Sequence, residues 1–502
     1  MSDRTRRIEF GDFQTPPRLA CDVCGLLVEL GLQPDTVIEP TCGVGAFVLA
    51  ALDAFPAARS VFGFDCNGRH LDELRGRLHA CGGAHRVHLE EADFFGTDWR
   101  STLASMAGSL LILGNLPWVT NAAMGAIGGG NLPAKSNFMN RSGFDAIGGK
   151  SNFDISEWML LEILRWFNGR PGDIAMLVKT AVARKVLAYA RAQSIPVQSA
   201  SLFAVDAKRE FGAAVDACLM VVRLTDDPLR VEYDYTVFES LSAPTGHRVG
   251  HRSGFAVGDM AAFESHAFLL GHSPQKWRSG IKHDASHVME FRRTDAGLAN
   301  GSGELVDLEE TYLFPMMKGS DIGSGREWRG MYMLVPQRQV GEPTEPIRDC
   351  APRTWAYLEN HAGTLDARRS IIYLKNPRYS IFGVGEYAFR PWRIAICSLY
   401  KTLSFRLQPP VEGRPVMFDD TVYYLSFDDE AEARNTLARL QSEPAQRLLR
   451  SLIFWDEKRP IKTGILNVLD WSLLDDAGGI PSRPQPAANV VARTGVRSGA
   501  RP

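Results

Sequence analysis

The sequence predicts an α/β fold, a doubly wound and mostly parallel sheet, followed by a mixed α+β domain. Three observations carry that expectation. From about residue 35 to residue 225, short apolar runs alternate with stretches of helical periodicity. Beyond Asp226 the alternation stops, and short β-like stretches mix with Gly, Pro and aromatic residues. At 502 residues the chain also exceeds what a single hydrophobic core organises.

The elements follow in order. Residues 36–40 (TVIEP) read as a strand and 45–55 as the helix after it. Residues 60–65 (SVFGFD) form the second strand, 70–80 the second helix, and 85–94 and 109–115 the third and fourth strands. A helix over 156–167, a strand over 173–179, a helix through 183–192 and strands near 201–205 and 216–224 complete the unit. Domains are therefore expected at 1–225 and 226–477, with a disordered Arg-bearing tail at 478–502 whose composition cannot bury a core.

Composition excludes some function classes. Hydrophobic residues make up 45% and charged residues 23%, with a formal net charge of -2, so any basic surface is local. No apolar run approaches a membrane span, and the N-terminal residues lack the apolar stretch of a secretory signal. The eight scattered cysteines read as reduced thiols of a cytosolic protein. Cys21 and Cys24 fall within a helical pattern and read as packing residues, and no metal site is expected.

Three strand ends carry features suited to a nucleoside. The first opens into Glu39-Pro40-Thr41-Cys42-Gly43-Val44-Gly45-Ala46-Phe47, a small-residue turn that lets backbone approach a ligand. The second ends in Asp65, an acceptor for ribose hydroxyls. The third ends in Asp93-Phe94, an acceptor beside an apolar ring. The turn lacks the Lys-Ser/Thr pair of a P-loop, and residues 143–151 miss that spacing by one residue.

The fourth strand ends in Gly114-Asn115-Leu116-Pro117-Trp118. This resembles the Asn/Asp/Ser-Pro-Pro-aromatic signature of the amino-methyltransferases of DNA. The resemblance covers about residues 8–225 and departs from the family at Leu116, where proline is usual. It implies a Rossmann-like class I methyltransferase fold, S-adenosyl-L-methionine as cofactor, and methylation of the exocyclic amine of a flipped base. Asn115 and the Leu116 carbonyl would accept the amine hydrogens, Pro117 would hold the turn, and Trp118 would stack on the base. Thr15-Pro16-Pro17 resembles the family's Thr-Pro-Pro element, and its place before the Gly-rich turn matches the γ-type motif order. Phe211 aligns with the ring on the base's other face, and fits a strand-end core residue equally well. The cofactor set so implied is Thr15, Pro17, Glu39, Pro40, Cys42, Gly43, Gly45, Phe47, Asp65, Asp93, Phe94 and Asn115.

Two regions suggest nucleic-acid contact. Residues 119–153 are polar, Gly-rich and internally repetitive, and Lys135, Arg141 and Lys150 there are candidate phosphate contacts. Residues 365–406 hold eight Lys/Arg against Asp366 and Glu386, interleaved with aromatics. Arg368, Arg369, Lys375, Arg378, Arg390 and Arg393 are the candidates. The resulting expectation is a monomeric enzyme of the bacterial cytosol, associated with the nucleoid, that methylates N6 of adenine in double-stranded DNA. Cytosine N4 is the nearest rival, and a cofactor-dependent DNA-binding protein of weak activity the non-enzymatic one. A restriction endonuclease would be a separate polypeptide.

Overall fold

The computed structural model of the protein describes residues 14–79, 84–106, 108–118, 154–167 and 169–474, in two compact units divided between Ala256 and Val257. The first unit carries strands β1 (Thr36–Glu39), β2 (Ser60–Asp65), β3 (Val87–Glu91), β4 (Leu110–Asn115), β5 (Gly172–Lys179), β6 (Val197–Val205), β7 (Ala217–Leu224), β8 (Tyr235–Phe238), β9 (Gly246–Arg252) and β10 (Phe255–Val257). Its helices are α1 (Pro17–Glu29), α2 (Ala46–Ala54), α3 (Gly68–Leu78), α4 (Trp99–Ala104), α5 (Ile155–Phe167), α6 (Thr180–Ala192) and α7 (Ala207–Phe211). The strands form one sheet in the order β10-β9-β8-β6-β7-β5-β4-β1-β2-β3.

Strands β1 to β5 pair in parallel, whereas β7 inserts antiparallel between β5 and β6. The central strands are continuous aliphatic runs because both faces are covered. Val37, Ile38, Leu111, Ile112, Leu113, Ile174 and Leu177 are at most 1% exposed. The sheet is thus the Rossmann-like, doubly wound one expected. The first unit nevertheless runs past the expected break near Asp226. Strand β8 pairs in parallel with β6, and β9 antiparallel with β8, so both belong to the first sheet. Their signal is weak in the sequence because β9 (GHRVGHR) buries little beyond Val249 and Gly250.

The second unit holds two further sheets. One is six-stranded, in the order β14-β13-β12-β16-β15-β19, from β12 (Glu290–Thr294), β13 (Gly297–Asn300), β14 (Leu305–Val306), β15 (Leu313–Met317), β16 (Met331–Leu334) and β19 (Met417–Phe418). The other runs β11-β20-β17-β18, from β11 (Arg278–Ser279), β17 (Trp392–Cys397), β18 (Arg406–Gln408) and β20 (Val422–Phe427). Among the described residues no helix is long and apolar enough to cross a membrane. Cys21 and Cys24 lie on α1, with Cys24 buried and Cys21 exposed, and no described group of three or more His, Cys, Asp or Glu could hold a metal ion.

Candidate active site

The sheet has a switch point at β1. The chain leaves β1 for β2 and β3 on one side, then returns to β4 on the other. In such sheets ligands sit outside the carboxyl ends of the strands that flank the reversal. The turn after β1 and the turn after β4 therefore face one crevice, and those are the two segments the sequence singled out.

The β1–α2 turn is knit together by the protein itself. The Cys42 N–H donates to the Phe64 carbonyl at 2.7 Å, and the Gly45 N–H to the Cys42 carbonyl at 2.8 Å. The Gly43 N–H donates to Asp65 Oδ2 at 2.8 Å and the Val44 N–H to Gln14 Oε1 at 3.1 Å. With those four amides taken, the turn is no cradle for phosphate. Gly45 is required by a neighbour within the protein, since a Cβ there would lie 2.2 Å from Cδ1 of the buried Leu74, whereas one on Gly43 would meet only the tip of the exposed Gln14 side chain. Both have positive φ, +53° and +83°.

Glu39 closes β1 and accepts the Val48 N–H at 3.1 Å, which anchors α2. Burial pushes its carboxyl well above the ordinary carboxylate range; the Val48 bond opposes the shift and the Asp65 charge adds to it. Pro40 and Cys42 are buried beside it. Phe47 requires a correction. It is fully buried in the core, among the apolar residues packed with α1, and its ring is not available to a cofactor. The α2 helix turns that position inward, which the small-residue turn before it does not announce.

At the end of β2, Asp65 also accepts the Asn67 N–H through Oδ1 at 2.8 Å, with His70 Nδ1 3.4 Å from the same oxygen. Asp93 is exposed and caps its own turn by accepting the Phe95 N–H at 3.0 Å. The Phe94 ring is only 6% exposed and lies in an aromatic cluster, 5.5 Å from Trp99 and 5.2 Å from Trp166. Its expected role beside a nucleobase is therefore at most that of a wall built into the core.

The turn after β4 draws on three other segments. Asn115 Nδ2 donates to Thr15 Oγ1 at 3.3 Å, which joins the Thr-Pro-Pro element to the candidate catalytic residue. Pro17 starts α1, where a missing N–H costs nothing. The Leu116 side chain is 1% exposed, so it anchors the turn in the core. The Trp118 indole N–H donates to the Leu177 carbonyl at 3.3 Å, and its ring meets Phe211 edge to face at 5.0 Å. Lys179, at the end of β5, donates to the Trp118 carbonyl at 3.1 Å and pairs with Asp154 at 2.5 Å. Sequence reasoning missed Gln14 and Lys179. The signal for Lys179 was available, since it closes β5 as Asn115 closes β4.

In the second unit two expectations for DNA contact are overturned. Arg368 is 7% exposed; it donates to the carbonyls of Leu365, His283 and Ser380 and stacks over Tyr373. Arg393 is fully buried over Tyr424 and donates to the Ala388 carbonyl at 2.6 Å. A guanidinium enclosed in the core cannot meet a phosphate. Arg378 and Arg390 are exposed but ion-paired, with Asp366 at 2.6 Å and Asp428 at 3.6 Å. Arg369 and Lys375 are exposed, as is Leu374, which precedes Lys375 and is 70% exposed. Lys135, Arg141 and Lys150 lie outside the described residues.

No family model matches the chain. Among solved structures, the type IIL restriction-modification enzyme MmeI in complex with DNA aligns with a TM-score of 0.46 and 12% identity, over 87% of this chain and 61% of its own. The type IIG restriction endonuclease BpuSI aligns with a TM-score of 0.38 and 14% identity, over 93% and 59%. The chain thus spans less than two thirds of either enzyme. It is 45% identical over 470 residues to the type II methyltransferase M.NspV of Nostoc sp., which is 93% of this chain and 97% of that protein. Identity of that extent shows the family, and this protein is a member of the type II methyltransferases.

Proposed function

We propose that this methyltransferase transfers a methyl group from S-adenosylmethionine to N6 of an adenine flipped out of double-stranded DNA, at a specific site. The reading is carried by Asn115-Leu116-Pro117-Trp118 standing at the carboxyl end of β4, at the switch point. The crevice residues fit an adenosyl group. The Thr41 hydroxyl is buried without a partner among the described residues, and Asp65 keeps acceptor capacity after taking two amides. The occupied amides of residues 42–45 favour a nucleoside over a polyphosphate.

When bound, S-adenosylmethionine supplies an electrophilic methyl group. The protein's task is to make an unreactive amine attack it. The lone pair of an exocyclic amine is delocalised into its ring. The Asn115 carboxamide oxygen and the Leu116 carbonyl accept the two amine hydrogens, localise that lone pair and aim it, so the rate gain is positional and electrostatic. Trp118 stacks on one face of the base and Phe211 covers the other. Their edge-to-face contact at 5.0 Å leaves no slot for a third ring, so Phe211 moves away from Trp118 to admit the base. Leu116 keeps the acceptor that any residue supplies, and its buried side chain with Pro117 restrains the turn.

In the second unit, the exposed Arg369 and Lys375 are candidate phosphate contacts. The enzyme acts as a monomer in the bacterial cytosol, and any partner endonuclease is a separate chain. The test is transfer of radiolabelled methyl to unmethylated DNA, followed by nucleoside analysis, beside Asn115→Ala. Labelled N6-methyladenine that falls about 10²–10³-fold in the variant supports the reading. Labelled N4-methylcytosine moves the target to cytosine, and unlabelled DNA from an enzyme that binds cofactor overturns the DNA assignment.

A further inference from the structure

We infer that Lys179 is a positioning residue for methyl transfer, holding Trp118 and the end of the Asn115 turn in place from the neighbouring strand. Both polar handles of Trp118 end on β5. Its indole N–H donates to the Leu177 carbonyl at 3.3 Å, and its own carbonyl accepts from Lys179 Nζ at 3.1 Å. Register makes this a rigid reference, because Asn115 pairs with Leu177 across β4 and β5. The ammonium is fixed in turn. Asp154 Oδ2 lies 2.5 Å from it, and Asp154 Oδ1 accepts the Ser156 hydroxyl at 2.5 Å and the Ser156 N–H at 3.1 Å. The two charged side chains are 21% and 8% exposed.

The sheet itself has no use for this arrangement. Strand β5 already completes its ladders with β4 on one side and β7 on the other. Taking an ammonium and a carboxylate largely out of water is costly, and an apolar pair of similar size would hold the strand end as well. What the pair adds is a fixed place for the Trp118 carbonyl, one residue beyond Pro117. Asp65 and the β1–α2 turn have other partners, so the side of the crevice that would hold the nucleoside is separate from this clamp.

The inference rests on the proposed role of the Asn115 turn. Its experiment uses the full chain with labelled S-adenosylmethionine and unmethylated DNA, and compares wild type, Lys179→Met, Lys179→Arg and the charge-free pair Lys179→Met with Asp154→Asn, which keeps the Oδ1 acceptor for Ser156. Displacing a reacting group by about 1 Å costs about 10²-fold, so Lys179→Met is expected to lose kcat on that scale with an unchanged cofactor Kd. Lys179→Arg should restore part of the rate. The charge-free pair removes the lone buried carboxylate that destabilises the single variant, and should melt near wild type while still losing kcat. A charge-free pair with wild-type kcat, or a cofactor Kd that weakens in step with kcat, overturns the inference and leaves the methylation reading standing. Wild-type enzyme that labels no DNA overturns both.

Discussion

Replacing Gly45 with alanine adds one methyl group where the β1–α2 turn meets α3. Gly45 caps α2 with φ +83° and ψ +30°, a left-handed conformation that costs an L-residue roughly 1–2 kcal/mol. The new Cβ would lie 2.2 Å from Leu74 Cδ1 and 2.5 Å from Cδ2. Leu74 is fully buried, so its side chain has no open space to enter, and overpacking of this kind costs about 1–3 kcal/mol. Together the two effects come to about 2–5 kcal/mol, a large share of the roughly 5–15 kcal/mol that ordinarily separates folded from unfolded states. Urea unfolding followed by circular dichroism reads this as a lowered midpoint. A companion pair of variants separates the two effects. Leu74→Ala trims the obstructing atoms, so the double variant should be less destabilised than the sum of the singles by the overpacking share, about 1–3 kcal/mol. Strict additivity would refute the contact as the cause, and a Gly45→Ala protein within about 0.5 kcal/mol of wild type would refute the reasoning altogether.

Arg368→Met should lower stability by about 1–3 kcal/mol, because it strands the buried carbonyls of His283 and Ser380. Its DNA affinity per folded molecule, measured by fluorescence anisotropy, should not change, and a lowered affinity would return Arg368 to the DNA surface. Arg369→Ala with Lys375→Ala should instead leave the melting temperature alone and flatten the log–log salt dependence of DNA affinity by about two units, at about 0.9 per phosphate. An unaltered slope excludes this pair from the contact. Glu309 gives a pH signature. Burial opposes its charge, but bonds from the Thr354 hydroxyl and the Arg353 and Thr354 N–H groups outweigh burial and hold its carboxyl at about 2. A depressed folded pKa stabilises above the unfolded value of 4.5, and that contribution is lost as pH falls toward about 2. Acid titration of stability should therefore be shallower over this range in Glu309→Gln, and identical curves would sink the assignment.

Much of the first unit was legible because its signals are local. Alternating burial and helical periodicity depend on which face of a short segment is covered, so β2 and β4 fall where SVFGFD and SLLILGN place them. The candidate crevice was legible for the same reason: Asp65, Asp93 and Asn115 announce themselves by closing or following predicted strands. Strands β8 and β9 were not legible, since they are largely exposed or half-exposed and joined to the sheet through β6, far from any helical crossover.

The sequence by itself determined the doubly wound sheet, the family resemblance and the segments that meet at the switch point. It could do so because strand ends and turns are written in contiguous residues. Only the tertiary structure decided which charged and aromatic groups remain accessible. Arg368, Arg393 and Phe47 are in the core, while Arg369 and Lys375 stay at the surface. The structure likewise decided that Lys179 grips Trp118 across 61 residues of chain. Burial and pairing between distant segments depend on how faces meet in space, and neither the composition of one stretch nor its periodicity records that meeting.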